Sequence, residues 1–174
     1  MRRVEVRRNR TSGGFTLIEL LVVVAIIGII AAIALPALLR ARMTGNETSA
    51  IASVRAINTA QLSYSTTCAF GFHSVTYPAL APRYLSPDLT SAVTPIKSGY
   101  RYTLGAGLGA LPGPADCNGN PTTDAYYVTA LPLSPGISGS RGFAGNNSGA
   151  IWQDVSGIAP PEPFVNGPGI SPVQ

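Results

Sequence analysis

The chain has 174 residues and a net charge of +4, which allows one modest domain together with a membrane-spanning helix. Residues 1–14 carry this entire net charge as five arginines against one glutamate, whereas the rest of the chain holds seven basic and seven acidic side chains. Basicity therefore gives no reason to assign nucleic-acid binding, because phosphate contacts need clustered lysine or arginine. The arginines instead indicate orientation, since basic residues flanking an apolar segment stay on the cytoplasmic side.

An apolar stretch long enough to cross a bilayer begins directly after Gly14. Leu20–Leu39 contains 20 residues without a charge, and as a helix it rises about 30 Å, the thickness of a bilayer core. Glu19 stands at the start of this stretch, where a carboxylate is costly unless another group pairs with it. Pro36 lies inside the stretch and predicts a kink or local melting of the helix, because proline lacks an N–H and clashes with the preceding turn.

Two ordinary interpretations of this stretch leave Glu19 unexplained. A secretory signal peptide cleaved after Ala34 accounts for the basic leader and the small residues, but it places Pro36 awkwardly close to the cut. A plain single-pass anchor accounts for the length and the apolar character. Both stay open as alternatives on composition alone, and each leaves the acid without a partner.

Residues 14–19, Gly-Phe-Thr-Leu-Ile-Glu, and the apolar helix after them closely resemble the prepilin-type processing and methylation motif of type IV pilins and their relatives. The resemblance implies that a prepilin peptidase cuts after Gly14 and N-methylates Phe15. It also implies that Glu19 neutralises the N terminus of an adjacent subunit and sets the axial register of a filament. Phe15 and Glu19 are four residues apart, so they are expected to share one helix face.

Beyond the apolar stretch, the sequence predicts that the helix continues. Ala50, Val54 and Ile57 recur at helical spacing between polar residues, and Thr44–Asn46 is a predicted weak point. Four strands then follow, the first two rich in Tyr, Val and Thr and the last two flanking an Asn-Asn-Ser-Gly turn. The predicted strands are Tyr100–Leu104, Tyr126–Leu131, Gly142–Ala144 and Ala150–Asp154.

The expected fold is α+β, with a long N-terminal α-helix packed on a small antiparallel β-sheet, and it is similar to the layout of the pilin family. The first half of the helix is expected to be transmembrane. The expected divisions are a leader (1–14), a transmembrane and filament-core helix (15–39), a periplasmic or extracellular head (40–158) and a Pro/Gly-rich tail (159–174). The composition of the tail predicts an extended or disordered segment.

Cys68 and Cys117 both lie beyond the apolar stretch, so they are predicted to form a disulfide if that part of the chain is exported. The bridge closes a loop of about 49 residues, for which the chain-entropy relation gives roughly 4 kcal/mol of stabilisation. In a reducing compartment both cysteines would stay unpaired. Their spacing is not C-x-x-C, and it supports neither a redox motif nor a zinc site.

Residue patterns that carry chemistry are sparse. His73 is the single histidine and no nucleophile motif surrounds it, so the chain is not predicted to be an enzyme or to need a cofactor. One loop is a candidate calcium site, since oxygen-bearing side chains at alternate loop positions suit Ca²⁺. Its residues are Asp116, Asn118, Asn120 and Asp124. Pro121 stiffens this loop and no bidentate glutamate closes it, so an ordinary turn is the favoured interpretation.

The resemblance implies a structural subunit of a type IV pilus-like filament, polymerised through its N-terminal helix. The implied partners are copies of itself or related pilins, the prepilin peptidase, an inner-membrane assembly platform and, before assembly, membrane lipid. The implied location is the inner membrane with a cytoplasmic N terminus, followed by a periplasmic or extracellular filament. No nucleic-acid partner is expected.

Two other functions stay open from the sequence. A pseudopilin of a type II secretion system shares the same N-terminal segment, although the Asp-Pro-Trp-Gly stretch often found in the major pseudopilin is missing around Trp152. A membrane-anchored binding module that never polymerises, or a minor tip pilin, is the third candidate. Long surface filaments built of this chain would separate the first function from the others.

Overall fold

The structure, a computed structural model, describes residues 14–173. The predicted leader, apart from Gly14, lies outside these residues. The first element is helix α1, Leu17–Thr67, whose 51 residues run without interruption through Pro36. The continuous helix is confirmed, and the bend at Pro36 stays a prediction.

Two details of α1 correct the sequence-based expectations. The helix begins at Leu17, so Phe15 precedes its first turn and does not share a helical face with Glu19. The predicted weak point at Thr44–Asn46 is wrong, because the helix is unbroken there. The Asn46 side chain donates a hydrogen bond to the Ser138 carbonyl at 2.8 Å. This long-range contact stabilises a helical turn whose own residues have low helix propensity.

The contacts divide the chain into two units, Met1–Leu38 and Leu39–Gln174. In the described part of the first unit, every side chain except the half-exposed Ala31 is exposed. α1 is the one described helix that is long and apolar enough to cross a membrane, judged by its length and composition. An N-terminal signal sequence passes the same test.

The second unit is built on two antiparallel sheets. The strands are β1 His73–Ser74, β2 Ile96–Lys97, β3 Tyr100–Ala106, β4 Thr122–Thr123, β5 Tyr126–Pro132, β6 Gly142–Asn146, β7 Ile151–Asp154 and β8 Ile170–Pro172. A six-stranded sheet has the order β2-β3-β5-β6-β7-β8, and β1 pairs with β4 in a separate two-stranded sheet. A short 3-10 turn, Pro78–Leu80, and helix α2, Pro87–Thr90, lie between β1 and β2.

All four predicted strands are present, each within one or two residues of its expected end. The predicted turn between the last two is confirmed, because the Gly149 N–H donates to the Asn146 carbonyl at 3.0 Å. Gly149 has a φ of 78°, a left-handed conformation that glycine adopts without strain. The α+β fold with a long helix and an antiparallel sheet is therefore confirmed.

The hydrophobic core lies between the second half of α1 and one face of the large sheet. Ala50, Val54 and Ile57 are fully buried there, as their spacing predicts, together with Val128 and Phe143 from the sheet. Side chains alternate between the two faces of a strand. Residues such as Trp152, next to the buried Ile151, therefore belong to the opposite face, which we call the outer face.

The C-terminal segment, expected from its composition to be extended or disordered, contains an extended strand near its end. Ile170–Pro172 pairs with β7 as the edge strand of the sheet. Upstream of it, the Pro160 carbonyl accepts a hydrogen bond from the Tyr127 hydroxyl, and the Phe164 ring stacks on Trp152. Composition alone could not place this segment, because its order depends on the outer face of a sheet formed earlier in the chain.

Candidate functional site

The first candidate site is the start of α1. Gly14, Phe15 and Thr16 precede the helix, and Phe15 is 84% exposed. No described part of the chain covers the Gly14–Phe15 peptide bond. The geometry is that of an accessible peptide directly ahead of a long apolar helix.

Thr16 and Glu19 cap each other at the start of the helix. The Thr16 backbone N–H and hydroxyl both donate to Glu19 Oε2, at 2.9 and 2.7 Å, and the Glu19 N–H donates to Thr16 Oγ1 at 3.2 Å. This reciprocal arrangement is a capping box, which satisfies N–H groups that the first helical turn leaves unpaired. Glu19 therefore has hydrogen-bond partners within its own chain.

The capping role of Glu19 was missed from the sequence, although a signal for it was present. Thr16 and Glu19 form the T-x-x-E spacing that marks a helix start before an apolar run. The capping role explains the presence of Glu19 without a neighbouring subunit. It therefore stands beside the charge-pairing role that the resemblance implies. The two roles are separable by substitution, since glutamine also serves in a capping box.

The helix surface after the cap is apolar on all sides. Large side chains from Leu17 to Leu39 are between 48% and 79% exposed. A soluble monomer rarely exposes a continuous apolar surface of this size. The surface therefore needs lipid or other helices as its environment.

Comparisons with known proteins bear directly on this segment. Residues 9–35 match the family described as the prokaryotic N-terminal methylation motif. The N-terminal segment is of the prepilin type. This prepilin-type segment includes Gly14, Phe15 and Glu19, so the residues that carried the resemblance lie inside the matched region.

Two curated relatives are similar to the chain in its N-terminal region. The type IV major pilin protein PilA of Myxococcus xanthus is 47% identical over 58 residues, which is 33% of this chain and 26% of that protein. The type IV wide pilus major component PilA4 of Thermus thermophilus is 59% identical over 39 residues, 22% of this chain and 30% of that protein. The chain thus spans less than a third of the length of either relative. No solved structure matches the chain.

A second candidate site lies at the C-terminal end of α1, where the predicted disulfide is confirmed. Cys68 and Cys117 are bonded, with their Cα atoms 5.0 Å apart. The Cys117 N–H also donates to the Cys68 carbonyl at 2.9 Å. The bridge thus fastens the loop before β4 to the residue that follows the helix.

In the calcium candidate beside this bridge, hydrogen-bond donors of the protein already bind the Asp116 carboxylate. Asp116 is buried and accepts hydrogen bonds from the Tyr64 hydroxyl at 2.8 Å and from the backbone N–H groups of Asn118 and Asn120 at 2.8 and 2.7 Å. Burial opposes ionisation of Asp116, but the donors from Asn120, Tyr64 and Asn118 outweigh it and lower the pKa of the carboxyl.

The other acid of the calcium candidate serves a different loop. Asp124 accepts a hydrogen bond from the Leu111 N–H at 2.7 Å. Residues 14–173 contain no group of three or more His, Cys, Asp or Glu side chains arranged to hold a metal ion. Asp116 is the acceptor that organises this turn.

A buried acid on the helix, Glu47, was not singled out by sequence reasoning. One carboxylate oxygen accepts the Ser140 N–H at 2.8 Å and its hydroxyl at 2.9 Å, and the other accepts Nε and Nη2 of Arg141 at 2.8 and 2.6 Å. Burial raises the pKa of Glu47, but these donors outweigh it and the net shift is downward. No local signal reveals this contact, because its members are more than 90 residues apart.

His73 has a packing role. Its ring meets Tyr126 edge to face at a centroid distance of 4.9 Å. Its Nδ1 atom is buried, and no described residue forms a hydrogen bond with it. Burial lowers the pKa of His73, which favours the neutral ring at physiological pH.

Proposed function

We propose that the chain is the structural subunit of a type IV pilus-like filament. In this proposal the N-terminal helix inserts the chain in the inner membrane, a prepilin peptidase cuts after Gly14 and methylates Phe15, and the subunits polymerise by packing this helix. The observation that carries the proposal is the prepilin-type match over residues 9–35, because it overlaps an exposed apolar helix. Copies of the chain, the peptidase and an assembly platform are the proposed partners.

The proposed cut gives the chain a charge that the exposed helix must accommodate. Removal of residues 1–14 leaves an α-amino group on Phe15, two residues before the first helical turn. Apolar contact drives helices together only weakly in lipid, so packing and polar pairs set the geometry of such assemblies. In the filament Glu19 is proposed to neutralise this amino group on a neighbouring subunit, while Thr16 continues to satisfy the remaining lone pairs of the carboxylate.

A pilus is preferred here to a secretion pseudopilus. Both relatives are named as components of a type IV pilus, and the Asp-Pro-Trp-Gly stretch of the major pseudopilin is missing around Trp152. Deletion of the chain is expected to remove surface filaments and leave protein secretion unchanged. Loss of protein secretion with intact surface filaments would assign the chain to a type II secretion pseudopilus instead.

Processing is tested by intact mass spectrometry of the exported protein. The expected mass lacks residues 1–14, carries one methyl group on Phe15 and is two hydrogens lighter for the Cys68–Cys117 bridge. A mass that corresponds to cleavage after Ala34 would contradict the proposal, because such a cut removes the helix on which assembly depends.

The role of Glu19 is tested with three variants that separate its charge from its cap. Glu19→Gln keeps a capping-box residue and removes the charge, Thr16→Val removes the capping hydroxyl and keeps the charge, and Glu19→Ala removes both. All three are expected to be processed normally. Filament yield from sheared cells is expected to fall at least tenfold in both Glu19 variants and much less in Thr16→Val. Normal yield from Glu19→Gln would reduce Glu19 to a helix cap.

A further inference from the structure

An open groove of about 490 Å³ lies at the edge of the outer face of the sheet. Four separate segments form it, namely the loop after β3, the residue before β5, the β6–β7 hairpin and the segment before β8. The side chains that matter here are Leu108, Asn147, Ser148, Trp152, Glu162 and Phe164. Neither the proposed assembly through the N-terminal helix nor the disulfide uses this groove.

The groove presents a carboxylate next to an aromatic wall. Trp152 and Phe164 stack with their ring centroids 5.4 Å apart and their planes 17° from parallel. Glu162 is held in place by the Leu108 N–H at 2.8 Å and by the Asn146 side-chain amide at 2.6 Å. Both donors are neutral, and within residues 14–173 no lysine or arginine nitrogen lies within 4.0 Å of this carboxylate. The site is therefore preorganised and carries an uncompensated negative charge.

The exposed surface of the second unit carries an excess of positive charge. Three of its six acids, Glu47, Asp116 and Asp154, are buried and bonded within the fold. Five arginines of this unit are exposed, and none has a carboxylate partner in the described part of the chain. They are Arg40, Arg42, Arg55, Arg83 and Arg101. The equal number of acids and bases after the leader thus hides an exposed surface that is rich in unpaired guanidinium groups.

We propose that the groove binds the guanidinium group of an arginine from a second copy of the chain. This inference rests on the proposed function, because a filament brings copies together and each copy offers both the groove and the arginines. A guanidinium group fits both features of the site, since it pairs with a carboxylate through two parallel hydrogen bonds and stacks on aromatic rings. The groove of one copy and the arginine of another are unlike patches, so the contact is heterologous and can repeat along a filament.

Other ligand classes fit the groove less well. An anion would meet the Glu162 carboxylate with no basic side chain among the lining residues to balance it. A neutral polyol could use the aromatic wall and the Asn147 amide, but it would leave the charge of Glu162 without a partner. The charge on Glu162 therefore decides between a cation and a neutral ligand, and it is the feature to vary.

The chemistry of the groove is tested on the full chain in detergent with a small probe. Trp152 is the single tryptophan, so its fluorescence reports on the groove. N-acetyl-arginine amide is expected to give a saturable change at millimolar concentration that weakens with added salt. The citrulline analogue, which has the same shape without the charge, is expected to give at most a tenth of that response. Equal responses to both probes would overturn the cation assignment and indicate a neutral ligand.

The Glu162→Gln variant completes this test. It is expected to lose the response to the arginine probe at least fivefold while it keeps the unfolding midpoint of the parent chain, because glutamine can still accept the Leu108 N–H. Asp124→Asn is the matched control, since Asp124 also accepts a backbone N–H and lies outside the groove. An unchanged response in Glu162→Gln would contradict the inference.

The source of the cation is tested by double-mutant cycles on filament stability. Each of the five exposed arginines is changed to glutamine, alone and with Glu162→Gln, and the filaments are sheared or heated. We expect Glu162→Gln to lower filament recovery threefold or more, and one arginine variant to show no further loss in the Glu162→Gln background. Five purely additive pairs would exclude an arginine of a second copy as the occupant. Absence of filaments from the parent chain would instead contradict the proposed function, and the probe titration would still stand.

Discussion

The two parts of α1 contain similar residues in opposite surroundings. Ile27, in the first unit, is 59% exposed, whereas Ile57, in the second, is completely buried against the sheet. The first part is apolar around its whole circumference, and the second alternates a buried apolar face with a polar one. A helix that is apolar all round needs a cover from outside the described chain, while an amphipathic one finds its cover within it.

This contrast assigns different tasks to the two parts of one helix. The second part is a component of a folded core, so its sequence is constrained by packing against named neighbours such as Phe143. The first part has no such neighbours among the described residues, and in the proposed function lipid and the filament constrain its sequence. Substitutions in the two parts should therefore affect different measurements, either the free energy of unfolding or the yield of filaments.

Loss of the disulfide is expected to give the largest effect on the second unit. The double variant Cys68→Ser and Cys117→Ser opens a loop with a sequence separation of 49 residues. The entropy of that loop predicts a loss of about 4 kcal/mol in the free energy of unfolding. Urea unfolding of the full chain in detergent, followed by Trp152 fluorescence, measures it. The far-ultraviolet signal of the N-terminal helix is expected to survive conditions that unfold the variant, and a simultaneous loss of both signals would contradict independent units.

A matched pair of isoleucine substitutions tests the comparison directly. Ile57→Ala removes a fully buried side chain and is expected to lower the free energy of unfolding by about 3 kcal/mol, from lost transfer energy and the cavity that remains. Ile27→Ala makes the same chemical change in the exposed part and is expected to change that free energy by less than about 0.5 kcal/mol. Equal losses from the two variants would show that the first part of the helix also packs within the monomer.

The sequence predicted the features that depend on local pattern. The apolar length, the Ala50, Val54 and Ile57 spacing, the four strands and the Asn146–Gly149 turn all rest on neighbours close in sequence, and the structure contains each of them. The Thr16–Glu19 cap is equally local, and its T-x-x-E spacing is visible in the sequence although the cap was not predicted.

The features that were missed depend on contacts between distant residues. Ser138 stabilises the helix at Asn46, Ser140 and Arg141 surround Glu47, and the outer face of the sheet orders the C-terminal segment. Composition indicated a weak helical turn and left the tail either extended or disordered, because propensity describes a segment in isolation. The groove at Glu162 belongs to the same class, since four segments distant in sequence form it.

Removal of the Glu47 carboxylate is expected to have an intermediate effect. Glu47→Ala leaves Arg141 without its partner, and we expect a loss of about 2 kcal/mol, below the value for a fully buried pair because the Arg141 side chain is 34% exposed. Thr48→Ala, at the exposed next position, is the control and should change stability by less than about 0.5 kcal/mol. A loss from Glu47→Ala no larger than that of the control would contradict the role of this pair.

The Glu47 carboxylate also predicts how the free energy of unfolding changes with pH. Because the pKa of Glu47 is lower in the folded state than in the unfolded chain, its contribution is complete above the unfolded value of about 4.3. The contribution is then lost as the pH falls through the lower, folded value. Unfolding curves between pH 7 and pH 3 should therefore converge for the parent chain and Glu47→Gln at the acid end. Parallel curves over this range would mean that Glu47 keeps its ordinary pKa.

The smallest predicted effect is a difference in the free energy of unfolding between two tyrosine-to-phenylalanine variants of the second unit. The Tyr64 hydroxyl donates to the buried Asp116 carboxylate at 2.8 Å, whereas the buried Tyr77 hydroxyl has no partner among the described residues. Tyr64→Phe is expected to cost about 1.5 kcal/mol, because it leaves an ionised acceptor short of one donor. Tyr77→Phe removes a hydroxyl that was buried without a bond, so it should leave stability unchanged or raise it slightly. Equal losses from the two variants would mean that the hydrogen bond from Tyr64 to Asp116 adds nothing to the stability of this turn.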